Sequence, residues 1–400
     1  MKRRKNLLIG LTFLVTLAIL AVAQYKLEQT AVAQTRGQVM APRFEVDPTF
    51  PKPLPNGWYQ GQSIGLFVDN QDHVWIVHRP DVLDAVEGAA NATPPAGECC
   101  KNAPPILEFD QAGNLLRSWG GSDGPGFEWP ESNHGINIDG KGAVWIGGNG
   151  TNDGHVLKFT QDGKFIAMFG RADVPTPDSL STERFHRVAE TFFYAPSNEV
   201  FVADGYSNRR VAVIDPEAGK IKRFWGAYGN KPDDKAGAAQ GTYDPNTQYL
   251  QFRGPVHCAM VSNDGLVYVC DRTANRIQIF KTDGTYVREV YTQRDSRSDG
   301  SVWDIDFSRD PQQRFLYVAD GRNQKVRIFD RASMTELTTF GKGGHYPGEW
   351  YSLHNIALDS KNNLYTVETY QGRRLQRFLY KGLAPVTSKQ SGVAWPSSSN

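Results

Sequence analysis

The sequence predicts an all-β chain folded as a six-bladed β-propeller. Short runs of alternating β-branched and aromatic residues recur between Gly, Asn and Asp turns, the pattern of strand hairpins. The runs also repeat as a unit: an apolar strand, a polar turn, a second strand ending near Asp, a polar link and a third strand. One such sheet cannot bury both faces alone, whereas six packed round an axis bury them against one another. No sustained 3.6-residue period runs through these segments, which excludes a helical fold.

Composition agrees. Of 400 residues, 40% are apolar and 12% aromatic, enough for a large core, and 39 Gly and 23 Pro supply many turns. The 44 Lys and Arg nearly balance the 43 Asp and Glu, so a net charge of +1 gives no electrostatic argument for a nucleic-acid partner.

The elements follow in chain order. Lys2, Arg3, Arg4 and Lys5 precede an uncharged apolar run over residues 7–23 that ends in Ala21-Val22-Ala23, a small-x-small cleavage pattern. Residues 1–23 therefore read as a signal peptide or as an uncleaved N-terminal anchor; at about 17 residues the run is at the short limit for a span. Either reading exports the domain to the periplasm or outside the cell, with membrane contact only if the segment stays attached. Residues 24–50 read as a linker and an extra strand near Arg43 to Val46, expected to pair beside Leu375 to Leu379 and close the ring. The propeller is expected over residues 51–382, and the Ser/Pro-rich residues 383–400 are expected to be disordered.

Six units begin near Gly61, Glu131, His186, Gly254, Ser301 and Tyr351. CAMVS, LVYVCD and RIQIFKTDG give the three strands of one; TFFYAP, EVFVADG and RVAVIDPEAG give those of another. Two insertions, residues 80–105 and 229–249, follow outgoing strands and read as loops on the propeller faces. Cys99 and Cys100 lie in the first. Cys258 and Cys270 flank a turn centred on Asp264 and would face each other across a hairpin, as a disulfide or as two buried thiols.

The second strands end at His78, Gly148, Asp204, Asp271, Asp320 and Glu368. One hairpin upstream lie Ile64, His134, Glu190, His257, Asp304 and His354. The offset is constant except in the fifth unit, where a longer turn adds two residues. Each opens an inner strand at the mouth of the central channel. Histidines in alternate blades converge from three sides roughly 120° apart, and three His with an open fourth position is a catalytic zinc arrangement. The bland alternative is three unrelated core histidines; equivalent placement of three of the eight histidines argues against it. Glu190 and Asp304, standing between them, are expected to orient the imidazoles from behind. Arg79, Tyr206 and Arg272 lie just past second strands on the same face, where guanidiniums would hold a carboxylate and a phenol would serve as base. Arg322 and Arg373 read as surface residues.

The repeats resemble NHL repeats, and the site segments resemble the peptidyl-α-hydroxyglycine α-amidating lyase domain, from about Gln60 to Tyr380. GQSIGLFVDNQDHVWIVHRPD, NHGI, DGYSN, PVHCAM through CDRTANRIQIFKTDGTYVREV, and LHNI carry the resemblance. It implies zinc on His134, His257 and His354, and a tyrosine with two arginines, here Tyr206, Arg79 and Arg272, acting on the substrate. It also implies a structural calcium on the carbonyls of Leu66 and Ile136 and on the position of Asn355. An amide there still ligates calcium but brings no charge, which weakens the site. Ser207 stands where the family has a cysteine.

The activity expected is zinc-dependent cleavage of an N-acyl- or peptidyl-α-hydroxyglycine to an amide and glyoxylate. Its partner would be a small-molecule or peptide substrate with a carboxylate. Two alternatives are a non-enzymatic propeller that binds a protein or glycan, and a metal-dependent hydrolase or lactonase. The last usually ligates metal through acidic and Asn side chains rather than His.

Overall fold

The computed structural model describes Thr16, Leu20, Gln24 and residues 38–173 and 176–390. Most of the signal-or-anchor segment, and residues 25–37 of the linker, fall outside this set. Among the described residues, no helix is long and apolar enough to cross a membrane.

Six four-stranded antiparallel sheets form six blades. Blade 1 comprises Gln62–Val68, Val74–Arg79, Ile106–Phe109 and Leu115–Trp119, and blade 2 Asn133–Ile138, Val144–Gly148, His155–Phe159 and Phe165–Gly170. Blade 3 comprises Val188–Tyr194, Glu199–Asp204, Arg210–Asp215 and Lys220–Trp225, and blade 4 Val256–Val261, Leu266–Asp271, Arg276–Lys281 and Tyr286–Tyr291. Blade 5 comprises Asp304–Phe307, Phe315–Asp320, Lys325–Asp330 and Thr335–Phe340. Blade 6 takes Leu353–Leu358, Leu364–Glu368 and Leu375–Pro385 from the end of the chain, and its outer strand, Met40–Asp47, from the start. Each inner strand packs on the next, and the sixth packs back on the first, so the ring is closed.

The core is divided accordingly. Six apolar clusters occur among the described residues, one at each blade interface. Phe44, from the ring-closing strand, packs with Trp350 and Phe378 of blade 6 against Tyr317 and Phe340 of blade 5. Large side chains such as Trp75 and Trp145 are wholly buried, each stabilising by about 1.5–3 kcal/mol or more. The acidic residues ending four second strands pair with an arginine on the third strand or just before it: Asp204–Arg210 at 2.8 Å, Asp271–Arg276 at 2.9 Å, Asp320–Arg327 at 2.7 Å and Glu368–Arg374 at 2.8 Å. Most of the conspicuous repeat carboxylates are therefore structural, and the axis is left to other residues.

Three features depart from expectation. Residues 383–385 continue the third strand of blade 6; beyond them Val386 N–H donates to Val39 O at 2.8 Å, and Thr339 N–H donates to Lys389 O at 2.9 Å. The chain is thus held as far as Gln390, because the outer edge of blade 5 still had open backbone groups for it to satisfy. Arg373 is not a free surface residue: it pairs with Glu87 and donates to Val82 O at 3.2 Å, tying blade 6 to the first insertion. The second insertion contains a short helix, Asp234–Ala238, capped by Asp233 accepting from Ala236 N–H. Cys258 and Cys270 form a disulfide between the inner and second strands of blade 4, and Cys99 is bridged to Cys100.

Candidate metal centre

The backbone itself aims the axial residues. In five of the six blades the inner strand carries a bulge at the ring position: between Ser63 and Gly65, His134 and Ile136, Val188 and Glu190, Val256 and Ala259, and Leu353 and Asn355. A bulge adds one residue opposite the partner strand and turns its side chain away from the regular alternation, here toward the channel. Gly135, after the first histidine, has φ +70°, and a Cβ on it would lie 2.6 Å from Ala189 O. Only glycine lets blade 2 approach blade 3 this closely.

His134, His257 and His354 converge. Their ring centroids are 5.2, 5.0 and 4.9 Å apart, a nearly equilateral triangle, and one ring nitrogen from each lies within 4.8 Å of the others. The opposite nitrogens are all tied to carbonyl-type oxygens. His134 Nδ1 meets Ala189 O at 2.6 Å, His257 Nδ1 meets Trp303 O, and His354 Nδ1 meets Asn355 Oδ1 at 2.5 Å. These oxygens can only accept, so Nδ1 carries the proton in each ring and the Nε2 lone pairs are available for an ion. Burial, with the charges of nearby arginines, drives His134 and His257 well below the usual histidine range; it pushes His354 to about 3. All three are neutral at pH 7, as metal ligands must be. The donor set fits a divalent ion such as zinc.

Tyr206 and the arginines border this triangle. Tyr206 OH lies 3.0 Å from His134 Nε2 and 3.1 Å from His257 Nε2, and accepts from Arg272 Nη1 at 3.2 Å. The Arg272 guanidinium also stacks 4.6 Å from the Trp303 ring, and its buried Nε has no hydrogen-bond partner. Arg79 donates from Nε to Asn133 O at 3.3 Å and from Nη2 to Asn149 Oδ1 at 2.7 Å, facing the same mouth from blade 1.

Glu190 and Asp304 do not contact the imidazoles directly; Asp304 reaches His354 through the Asn355 amide. The acceptors behind His134 and His257 are the backbone carbonyls of the residues just before them, Ala189 and Trp303. A carbonyl leaves no mark on residue type, so this role was unreadable in the sequence. The two carboxyl groups lie close together instead, grouped with the bridged Cys258. Burial and the Asp304 and Asp306 carboxylates push Glu190 well above the usual range, and burial first of all pushes Asp304 to about 7. Asn355 has both ends of its amide engaged: Oδ1 accepts from His354, and Nδ2 donates to Asp304 at 3.0 Å. Leu66 and Ile136 are buried on the inner strands of blades 1 and 2. Where the inner strands end, the channel opens into a cavity of about 370 Å³ bordered by Glu190 and Asp306.

Fold and site together define a six-bladed β-propeller with a histidine triad at one mouth of its channel and cationic and phenolic groups around it. Relatives by sequence are the peptidyl-glycine alpha-amidating monooxygenases of mouse, 28% identical over 158 residues, and rat, 29% over 160 residues. Each alignment covers 39% of this chain and only 14% of the relative's length. A Xenopus laevis homologue, form A, is 27% identical over 165 residues, 41% of this chain and 16% of its own length. No family model matches the chain. Solved structures resembling it include a streptogramin B lyase, with TM-score 0.47, 12% identity, and coverage of 86% of this chain and 98% of that one. A catalytically inactive variant of the Staphylococcus aureus virginiamycin B lyase, with quinupristin, gives TM-score 0.45, 15% identity and coverage of 90% and 94%.

Proposed function

We propose that the protein is a zinc-dependent lyase that cleaves the C–N bond of an N-acyl- or peptidyl-α-hydroxyglycine, releasing an amide and glyoxylate. The observation that carries this reading is the contact of one phenol oxygen with two Nε2 atoms of the triad and with Arg272. The similarity to amidating monooxygenases supports it, as does the match of Arg79, Tyr206 and Arg272 to the lyase motif.

His134, His257 and His354 would hold the zinc through Nε2. A zinc ion so bound supplies Lewis-acid polarisation of a ligated substrate oxygen. Arg79 and Arg272 would hold the substrate carboxylate, fixing the α-carbon beside Tyr206. Tyr206, its oxygen held by Arg272 Nη1 at 3.2 Å, accepts the proton of the α-hydroxyl. The O–H pair then forms the aldehyde C=O, the C–N pair leaves with nitrogen, and nitrogen takes back a proton. The atoms balance as amide plus glyoxylate. The basic and then apolar N-terminus supports export.

The test is metal analysis of the purified protein together with glyoxylate release from N-benzoyl-α-hydroxyglycine, the spontaneous rate subtracted. Stoichiometric zinc with release well above background is expected. A zinc-loaded protein with no release would refute the lyase, leaving a binding propeller or a metal-dependent hydrolase.

A further inference from the structure

A third arginine stands at this mouth. Arg187 precedes the inner strand of blade 3, and its guanidinium lies 6.0 Å from the Tyr206 ring centroid. Its backbone carbonyl accepts from Tyr206 N–H at 3.1 Å, and its own N–H donates to Asp153 O at 2.7 Å. Its φ of +63° falls in the left-handed region, which a non-glycine residue occupies chiefly where the surroundings impose it, often at functional sites.

The electrostatics are one-sided. Arg187 Nε donates to Asn149 O at 2.8 Å, and Asn149 Oδ1 accepts from Arg79, so one asparagine holds two guanidiniums side by side. Arg187 helps lower the Arg79 pKa, a change for which burial is the main cause. Among the described residues no carboxylate pairs with Arg79, Arg187 or Arg272. Asp153, whose charge reaches Arg79, is hydrogen-bonded to the backbone amides of Glu131, Ser132 and Gly150 instead. Three cations with no carboxylate in contact form an anion site, and one carboxylate occupies at most two forks.

We propose that Arg187 binds a second anionic group, so that the preferred substrate is an α-hydroxyglycine whose acyl part carries its own carboxylate. This rests on the lyase reading for the first carboxylate. Arg79 and Arg272 hold the glycine carboxylate, and the two Nη groups of Arg187, which make no hydrogen bond among the described residues, hold the acid on the acyl side.

The experiment compares zinc-loaded wild type, Arg187→Gln and Arg187→Lys on N-benzoyl- and N-(4-carboxybenzoyl)-α-hydroxyglycine, with melting curves for each. One charge-assisted contact is worth about ten- to a hundredfold. Wild type is expected to favour the dianion by about that factor in kcat/KM, through KM. Arg187→Gln should bring the ratio near one, and Arg187→Lys should restore part of it. Equal turnover of both substrates by wild type overturns the proposal. So does an equal fall on both in Arg187→Gln, which would make Arg187 a positioning residue for Tyr206. Calorimetry with terephthalate and benzoate separates this from failure of the lyase itself. If neither substrate is cleaved, tighter terephthalate binding that is lost in Arg187→Gln still supports the second anion subsite, and equal binding refutes it.

Discussion

Replacing Tyr206 with Phe isolates one oxygen atom. The ring keeps its edge contacts with His134 and His257, at centroid distances of 5.0 and 5.7 Å. Only the hydroxyl goes, and with it the contacts to two Nε2 atoms and to Arg272. The stability lost is that of a hydrogen-bonded phenol, about 1 kcal/mol, or roughly 2–4 °C or less in a domain this large. All three Nε2 ligands survive, so metal content should not change. Loss of an essential proton acceptor costs about 10²–10⁴ in rate, or about 3–5.5 kcal/mol of barrier at 1.36 kcal/mol per decade. The assay is initial-rate glyoxylate release with the metal content measured on the same sample. Catalysis, metal binding and stability should part company: rate collapses while the other two hold. A variant retaining more than about a tenth of wild-type kcat would show that Tyr206 is not the base. A variant that loses its zinc would show that the phenol is a ligand.

Three further outcomes follow from the same geometry. His257→Ala should cut bound zinc from about one equivalent to near zero by plasma emission spectrometry; undiminished zinc would place the ion elsewhere. Arg276→Met removes one member of a wholly buried ion pair and leaves Asp271 with only the Arg253 and Gly254 amides, at a cost of about 3–5 kcal/mol in chemical denaturation; a loss below about 1 kcal/mol would show that those amides suffice for Asp271. At Glu199 burial opposes the charged form, but Arg223, Lys222 and Ser197 outweigh it and hold the carboxyl at about 2. Its folded pKa lies below the unfolded one, so its contribution is complete above about pH 4.5 and disappears as pH falls toward 2. Glu199→Gln should therefore flatten the acid limb of the stability curve between those values, and an unchanged limb would exclude that carboxylate as a contributor.

The blade count and the histidine triad were legible for one reason: a repeat makes positions comparable. Alignment on the second-strand ends turned His134, His257 and His354 from scattered residues into one ring. The same comparison set Glu190 and Asp304 directly behind the histidines, because it supposes that equivalent positions face equivalent neighbours; only Asp304 reaches one, through Asn355. The bulges break that supposition. Ala189 O, at the bulge of blade 3, lies behind His134, Trp303 O of the unbulged blade 5 lies behind His257, and the two acids lie close to each other. Arg187 escaped notice because its orientation depends on a left-handed φ, for which arginine gives no signal. The final strand could be expected from apolar alternation, whereas the pairing of Thr339 with Lys389 depends on an open sheet edge that composition does not reveal.

The ring of six is reduced to a site of threefold form, and the reduction is incomplete in a way that matters. His134 leans on a carbonyl of blade 3 and His257 on one of blade 5, each supported by the next blade in the ring. By the same rule His354 should lean on blade 1, but its acceptor is the neighbouring Asn355, whose amide also donates back to Asp304 of blade 5. A backbone carbonyl is fixed by its sheet, whereas a side-chain amide is held only by its own partners. His354 is therefore the ligand whose orientation depends on a side-chain network, and that network runs into the buried acidic pair below the triad. Blade 1, freed from supporting a histidine, supplies Arg79 to the mouth instead. The departure from symmetry thus leaves blade 1 with neither a ligand nor a supporting carbonyl, while Arg272, past a strand of blade 4, reaches Tyr206 OH beside His134 and His257.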